Sequence, residues 1–306
     1  MARQIAGARA RLEYTAFAAA RRTLGTIPLG SAMRVGAALG SLAMTLDRVN
    51  RPIAMRNLEI AFPQYDVAKK LSILRGMYRN WGRVAAEWSH LGEVNRDNIG
   101  QFAVYENPDE VADLVRHFLS HGALCLTAHF GNTELMAAAN QLYGLPIAIV
   151  HRPLRNPLMD HAVASSRERF GTAVIARKNV GRQILGLLRS NAIVAFALDL
   201  DVRKGVFVDF FSRKACTSDG LARLTMATRV PVVPVFIVRQ GSTSKHLIKV
   251  LPLVEVVSDG NQEESLRENT QRFASVVEKM IAAHPDHWNW IHRRWKTRPP
   301  GEPRIY

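Results

Sequence analysis

The 306-residue sequence has very few cysteines and comparatively few acidic residues. Its two cysteines, Cys125 and Cys216, are too few for the disulfide framework of a small secreted protein, and they cannot by themselves build a structural zinc site. They therefore favour a reducing compartment. Asp and Glu number 26 against 41 Lys and Arg, so the formal net charge is +15. A surplus of this sign indicates an acidic partner, such as nucleic acid, anionic lipid or an acidic protein.

Long uninterrupted apolar runs are also missing. The longest stretch without Asp, Glu, Lys or Arg covers residues 135–151. It contains Gly144 and Pro146, so it predicts a helix, a turn and a strand rather than a membrane span. Apolar residues nevertheless make up 47% of the chain, which is enough for a packed core and argues against intrinsic disorder.

The N-terminal region has a pattern of its own. Arginines interrupt three uncharged stretches, at residues 14–20, 23–33 and 35–46. This alternation suits amphipathic helices that lie in the headgroup region of an anionic leaflet. The alternative is an ordinary amphipathic hairpin that packs on its own domain. A cleavable secretory signal fits poorly, because no single apolar region is bounded by a small-residue cleavage site.

The pattern of apolar residues changes near residue 120, from helical periodicity to an alternation of predicted strands and helices. Short apolar runs predict strands at residues 123–128, 146–150, 192–198, 206–208, 232–238 and 247–254. Helices are predicted at residues 66–88, 133–143, 156–170 and 217–228, and around residues 273–281. We therefore expect an α/β fold, with a layered mixed or mostly parallel sheet flanked by helices. The expected divisions are a membrane-proximal amphipathic helical region (1–50), a helical collar (51–120) and an α/β core with a basic C-terminal tail (121–306).

Residues 124–134 carry the pattern most suggestive of chemistry. His129 follows a buried strand, Gly131 and Asn132 supply a turn, and Asn132 can cap the next helix, which places Glu134 in its first turn. Ligands of open α/β sheets bind beyond the carboxyl ends of strands, and a His–carboxylate pair there suits general-base work. The alternative is structural: His129 closes a strand, and Glu134 complements the helix dipole.

Three other groups of residues are candidates for the site or the core. Asp199 and Asp201 follow a predicted strand and could line the same site, with metal binding as a weak alternative. Cys125 lies four residues before His129, about 13 Å along a strand, which is too far for proton transfer, so we expect it in the core. The tail interleaves cations with tryptophans: Arg293, Arg294, Lys296 and Arg298 beside Trp288, Trp290 and Trp295. These types suit a sugar-phosphate lipid at a membrane interface, or else a solvated tail that aromatic residues hold on the domain.

An ordered set of motifs resembles the late acyltransferases of lipid A biosynthesis, within the lysophospholipid acyltransferase superfamily. The matching segments are His129-x4-Glu134 (the HX4E motif), residues 56–63, 151–153, 156–158, 199–201, 207–211, 217–224, 232–235 and 290–299. The resemblance spans roughly residues 12–306. It is less specific to one member, because mycobacterial phosphatidylinositol mannoside acyltransferases share much of it.

The resemblance implies transfer of a fatty acyl chain from a thioester, on acyl carrier protein or coenzyme A, to a hydroxyl of a phosphorylated glycolipid such as a lipid A precursor. His129 would be the general base, with Glu134 orienting and charge-balancing the imidazole. The expected substrate-binding residues are Arg152, Asn132, Asp199, Arg293 and Arg294. Arg152 would bind the oxyanion or a substrate phosphate, or else form a salt bridge at a strand end. Phe210 and Phe211 would flank an acyl groove or pack in the core.

The implied setting is the cytoplasmic face of the inner membrane, with peripheral or monotopic attachment through the N-terminal helices. No metal and no cofactor are expected. The other acceptor class is another glycolipid or lysophospholipid. A nucleic-acid-binding protein is a distant alternative, since no nucleic-acid motif accompanies the positive charge.

Overall fold

A computed structural model describes residues 7–150, 153–175, 180–258 and 261–306. The α-helices in these ranges are α1 (Ala8–Leu24), α2 (Leu29–Leu46), α3 (Asn50–Ala61), α4 (Val67–His90), α5 (Pro108–His121), α6 (Thr133–Leu142), α7 (Pro157–Arg169), α8 (Val180–Arg189), α9 (Gly220–Thr228) and α10 (Gln262–Ala283). The strands are β1 (Ala103–Tyr105), β2 (Ala123–Thr127), β3 (Ile147–Val150), β4 (Ala173–Ile175), β5 (Ile193–Ala197), β6 (Val206–Phe210), β7 (Arg213–Thr217), β8 (Val232–Arg239) and β9 (His246–Val250). Short 3-10 turns occupy Leu91–Glu93, Ile99–Gln101 and Pro285–His287.

Seven strands form one sheet in the order β1-β9-β8-β2-β5-β3-β4. Every neighbouring pair is parallel except β8 and β9, which are antiparallel. Helices cover the sheet, and β2 is buried along its whole length, as expected of a central parallel strand. The predicted α/β architecture with a mostly parallel sheet is therefore confirmed. The proposed division at residues 50 and 120 stays a prediction.

Several predicted boundaries were wrong, and the strand predicted at residues 247–254 ends at Val250. The strand at residues 206–208 extends to Phe210 and pairs with β7 in an antiparallel hairpin, so Thr217 belongs to a strand and the next helix begins only at Gly220. Phe211 and Ser212 make the connecting turn with φ of 50° and 56°. Positive φ at both turn residues matches the twist of a tight hairpin. Phe and Ser are not typical of such turns, so the sequence does not predict this hairpin.

The N-terminal helices pack on α4 through small residues. A Cβ at Gly40 would lie 2.1 Å from the carbonyl oxygen of Tyr78, and one at Gly36 would lie 2.2 Å from that of Gly82. Glycine at both positions therefore lets the backbones of α2 and α4 touch. Among the described helices, only α2 is long and apolar enough to cross a membrane by length and composition.

The opposite face of α2 is exposed and apolar. Val35, Leu39, Leu42 and Leu46 are 44%, 54%, 53% and 69% exposed, and they recur at helical spacing along one side. We call these four residues the apolar stripe. A contiguous exposed stripe of large apolar residues indicates contact with a partner or a lipid surface rather than with water.

Candidate active site

His129 and Asp199 meet because of strand register. β2 and β5 are parallel neighbours, and Thr127 is paired with Ala197 at their carboxyl ends. His129 and Asp199 each follow two residues later, so both reach the same point at the edge of the sheet. The Nδ1 of His129 lies 2.9 Å from Oδ1 of Asp199, and the His129 backbone N–H donates to Oδ2 at 3.1 Å.

Asp199 is fully buried and satisfied by protein donors. Besides His129, the indole Nε1–H of Trp288 donates to its Oδ2 at 2.8 Å. Burial alone would raise the pKa of Asp199, but the charge of His129 and the hydrogen bonds from His129 and Trp288 outweigh burial and hold the pKa at about 2. The Asp199 carboxylate is buried and oriented toward the imidazole, and substrate binding by Asp199 stays a prediction.

The imidazole of His129 is half exposed, with 48% of its side chain accessible. The negative charge of Asp199 raises the pKa of His129 above its ordinary value, against opposing effects of burial and of Arg167. Since Nδ1 faces a carboxylate, it carries the proton, and Nε2 is left as the acceptor. A half-exposed, correctly oriented imidazole nitrogen at a strand end can take a proton from a bound hydroxyl.

Glu134 does not bind His129, which corrects the expected pairing within the HX4E motif. Its carboxylate accepts two hydrogen bonds from Arg167 on α7, from Nε at 3.0 Å and from Nη2 at 2.6 Å. This bidentate pair is largely buried, with 22% and 14% of the two side chains exposed. Arg167 lies close enough to His129 for its charge to lower the pKa of the imidazole. The site therefore has two linked pairs, His129–Asp199 and Glu134–Arg167.

The turn between His129 and Glu134 depends on Gly131 and Asn132. Gly131 has φ of +62°, and a Cβ there would lie 2.3 Å from the carbonyl oxygen of Ile237 on β8, so only glycine fits. Asn132 caps α6 as predicted, because its Oδ1 accepts from the Leu135 N–H at 3.0 Å. Its Nδ2 donates to Glu87 at 2.8 Å, and the residue is buried. Asn132 thus has a structural role in the turn, and substrate binding by Asn132 stays a prediction.

Arg293 and Arg294, the two tail arginines predicted to bind substrate, lie in different environments. Arg294 is fully buried and donates to Cys216 O at 2.9 Å and Thr217 Oγ1 at 2.5 Å, while its guanidinium stacks over the Phe210 ring. Burial lowers the pKa of Arg294 to about 10. Arg294 holds the β6–β7 hairpin through these contacts, and substrate binding by Arg294 stays a prediction. Arg293 is exposed, near the ring of Tyr306, and remains free to meet a ligand.

The tail tryptophans lie in the core rather than at a membrane interface. Trp288, Trp290 and Trp295 are each 0% exposed. Phe210 and Phe211 are buried with them, which favours the core reading of both rings. Asp201 holds the chain after these tryptophans, accepting from the Thr297 N–H and hydroxyl at 3.0 and 2.9 Å. The tail is thus a structural element of the core.

Two predicted residues remain, Arg152 and Cys125. Arg152 lies outside the described residues. Cys125 is buried in the core as expected, and burial raises the pKa of its thiol to about 12. Within the described residues, no group of three or more His, Cys, Asp or Glu side chains is arranged to hold a metal ion.

The sequence does not predict two contacts of the site: the hydrogen bond from Trp288 to Asp199 and the ion pair of Arg167 with Glu134. Arg167 carries no local signal beyond its place in the last turn of a predicted helix. Trp288 is one of the tail tryptophans singled out in the sequence, but no local pattern there links it to Asp199.

Comparisons with known proteins agree on one family. The model of the family described as bacterial lipid A biosynthesis acyltransferase matches residues 8–297. A lipid A biosynthesis palmitoleoyltransferase of Escherichia coli (strain K12) is 28% identical over 278 residues, covering 89% of this chain and 87% of the relative. The lauroyltransferase of the same organism is 29% identical over 290 residues, covering 92% and 90%. Its myristoyltransferase is 25% identical over 272 residues, covering 88% and 82%.

Proposed function

Because this chain belongs to the bacterial lipid A biosynthesis acyltransferase family, it is an O-acyltransferase, and we propose that His129 is the general base of its acyl transfer to a lipid A precursor. The observation that carries the proposal is the half-exposed imidazole, whose Nδ1 is bonded to the buried Asp199 at 2.9 Å. That bond leaves Nε2 facing outward as the proton acceptor. Asp199 is then a positioning residue that fixes the tautomer and stabilises the imidazolium.

The reaction follows from this geometry. Nε2 of His129 takes the proton of the acceptor hydroxyl as its oxygen attacks the thioester carbonyl carbon. The tetrahedral intermediate then collapses, the C–S bond breaks, and the departing thiolate takes the proton back from the imidazolium. The products are an ester and a free thiol, and no acyl-enzyme forms. A thioester is reactive enough for base activation and positioning to carry the step.

The developing oxyanion needs a positive partner. The guanidinium of Arg167, held by the two carboxylate oxygens of Glu134, supplies a fixed positive charge within electrostatic reach of His129. Glu134 in this role acts through Arg167 and not on the imidazole. Arg293 is exposed and is the tail residue that could meet a phosphate of the acceptor.

The donor and the setting follow from charge and surface. A chain with a net charge of +15 suits an acidic carrier protein as the acyl donor, with acyl coenzyme A as the other thioester source. The apolar stripe of α2 suits attachment to the cytoplasmic face of the inner membrane. Since α2 is packed along α4, attachment in the plane of the interface fits better than a separate span.

Mass spectrometry of membrane glycolipids from cells with and without the gene tests the acceptor. We expect lipid A that lacks one acyl chain when the gene is absent, restored by the wild-type gene and not by His129→Ala. His161→Ala is the matched control, because His161 is exposed on α7. Unchanged lipid A with altered phospholipids would refute the lipid A acceptor, and full activity of His129→Ala on purified substrates would refute the general base.

A further inference from the structure

A groove outside the active site runs between α2 and α4 and is closed by the loop that follows β8. Its volume is about 470 Å³. Three arginines point into it: Arg34 from α2, and Arg79 and Arg83 from α4. The hydroxyl-bearing loop of Ser242, Thr243 and Ser244 forms its other wall. None of the residues that line the groove, all of them in the described part of the chain, is acidic.

The three guanidinium groups have little to neutralise them. Arg34 donates to Ser31 Oγ at 3.3 Å and Arg83 to Asn80 Oδ1 at 3.3 Å, both single bonds to neutral groups. Among the described residues, none of the three arginines forms an ion pair with a carboxylate. Converging positive charges without a counter-ion cost free energy, and that cost falls when an anion binds between them.

The two acids near this cluster are engaged elsewhere. Glu87 is bound bidentately by Arg239, and Asp286 accepts from His287 Nδ1 at 2.8 Å. Burial lowers the pKa of Arg83, and the charges of Arg239 and Arg79 lower it further, against Asp286 and Glu87. Arg83 therefore lies in a positive electrostatic potential, as expected of a site that binds an anion from outside the chain.

The position of the groove indicates where its anion comes from. At 100° per residue, the members of the apolar stripe lie about 80–140° around the axis of α2 from Arg34. If the stripe faces the acyl region of a bilayer, the groove opens sideways at about the depth of the headgroups. The phosphates of the lipid leaflet lie at that depth.

We propose that Arg34, Arg79 and Arg83, with the Ser242–Ser244 loop, form a binding site for the phosphate group of an anionic bilayer lipid. The guanidinium forks bind the phosphate oxygens, while the acyl chains of the same lipid run along the apolar stripe. The site fixes the depth and rotation of the chain on the leaflet. This inference rests on the proposed attachment to the membrane surface and adds to it one stoichiometric lipid with a defined place.

Hydrogen bonds connect the groove to the active-site turn. Arg239 donates to the carbonyl oxygen of Thr243 at 2.9 Å and binds Glu87, which accepts from Asn132. A lipid at the groove is therefore connected through buried polar contacts to the cap of α6.

Vesicle partitioning of the full chain tests the site. The variant Arg34→Gln/Arg79→Gln/Arg83→Gln is compared with the control Arg182→Gln/Arg189→Gln/Arg267→Gln, which removes three exposed arginines from α8 and α10. Vesicles are phosphatidylcholine with or without phosphatidylglycerol. Each basic residue at an anionic surface contributes about fivefold in partition, so the groove variant should lose about 100-fold on the anionic vesicles. The control should lose less than about threefold.

Each outcome has a distinct meaning. Equal losses in the two variants would overturn the site, since general attraction of a basic chain would then explain binding. Intact vesicle binding by the groove variant, with a raised KM for the phosphorylated acceptor in neutral detergent, would overturn it in favour of the acceptor's own phosphate. Matching thermal unfolding midpoints exclude misfolding. Failure of the wild-type chain to transfer acyl groups would refute the proposed function and leave these partition results untouched.

Discussion

The imidazole of His129 and the carboxylate of Asp199 are hydrogen bonded at 2.9 Å across the ends of two neighbouring parallel strands. Seventy residues separate them in the chain, but the register of β2 and β5 brings them to one point. The same carboxylate binds the backbone N–H of His129 and the indole of Trp288, so it cannot rotate away. The orientation of the imidazole is therefore fixed before any substrate arrives.

Asp199→Asn should lower kcat/KM by roughly 100-fold or more, because the amide no longer holds Nδ1 as the protonated nitrogen. The direction of the pH effect follows from the pKa of His129, which Asp199 raises. The base acts only when it is unprotonated, so the rate rises with pH through that pKa. Without the charge of Asp199 the pKa falls, and the acid limb of the profile should move to lower pH. The measurement is kcat/KM against pH.

Asp201→Asn is the matched control for this experiment, since Asp201 lies two residues further on and binds Thr297 instead of His129. Its acid limb should stay close to that of the wild type. An unmoved acid limb in Asp199→Asn, or an equal shift in both variants, would show that Asp199 does not set the ionisation of His129.

Glu134 and Arg167 should behave as a unit. Arg167→Gln removes a charge that lowers the pKa of His129, so its acid limb should move to higher pH. Loss of an oxyanion-binding charge should also lower kcat by about 100-fold. If Glu134 acts through Arg167, the double variant Glu134→Gln/Arg167→Gln should be no slower than Arg167→Gln alone. Multiplication of the two single effects would instead mean that Glu134 acts directly on the base.

The sequence predicts the strands and the residues of this site better than it predicts their partners. The runs at residues 123–128 and 192–198 correspond to β2 and β5, and the residues that follow them, His129 and Asp199, were both singled out. Their pairing depends on strand order, which is not consecutive and leaves no local pattern. The HX4E motif predicts Glu134 as the partner of His129, whereas the parallel sheet brings in a carboxylate that is distant in sequence.

The C-terminal tail shows a second limit of sequence reasoning. Arginine and tryptophan together are typical of a membrane interface, and composition does not distinguish that surface from a buried stack. Trp288 and Trp290 pack edge to face at 4.6 Å between ring centroids, and the two Nη atoms of Arg294 donate to backbone carbonyls and Thr217. The oxygens that surround a buried cation come from residues brought together by tertiary contacts. The sequence alone therefore does not predict the burial of Arg294.

A buried histidine should make the fold sensitive to acid. Burial lowers the pKa of His246 to about 4, with Arg239 adding to it and Glu87 opposing it. The unfolded chain, with a histidine pKa near 6.5, binds the proton more readily between these values. The free energy of unfolding should therefore fall as pH drops from 6.5 to about 4, by up to about 3 kcal/mol from this group.

Urea unfolding of His246→Asn across this pH range checks the effect. The variant should lose most of that pH dependence, whatever its stability at neutral pH, while His161→Asn, an exposed histidine, should keep it. The same slope in His246→Asn and the wild type would show that other groups cause the acid sensitivity.

The apolar stripe should govern attachment to uncharged vesicles, where the arginine groove gains nothing from charge. Leu39→Ser/Leu42→Ser removes two half-exposed leucines from its centre, and burial of a leucine side chain contributes about 1.5–3 kcal/mol when complete. Partition into phosphatidylcholine vesicles should fall at least about tenfold. Leu185→Ser on α8, where Leu185 is 39% exposed, is the control and should change little.

Because Gly36 and Gly40 hold the backbone of α2 against α4, α2 could span a bilayer only by taking Arg79 and Arg83 with it. Wild-type chain should therefore be released from vesicles by an alkaline wash, and retention would mean that α2 separates from α4 and crosses the membrane.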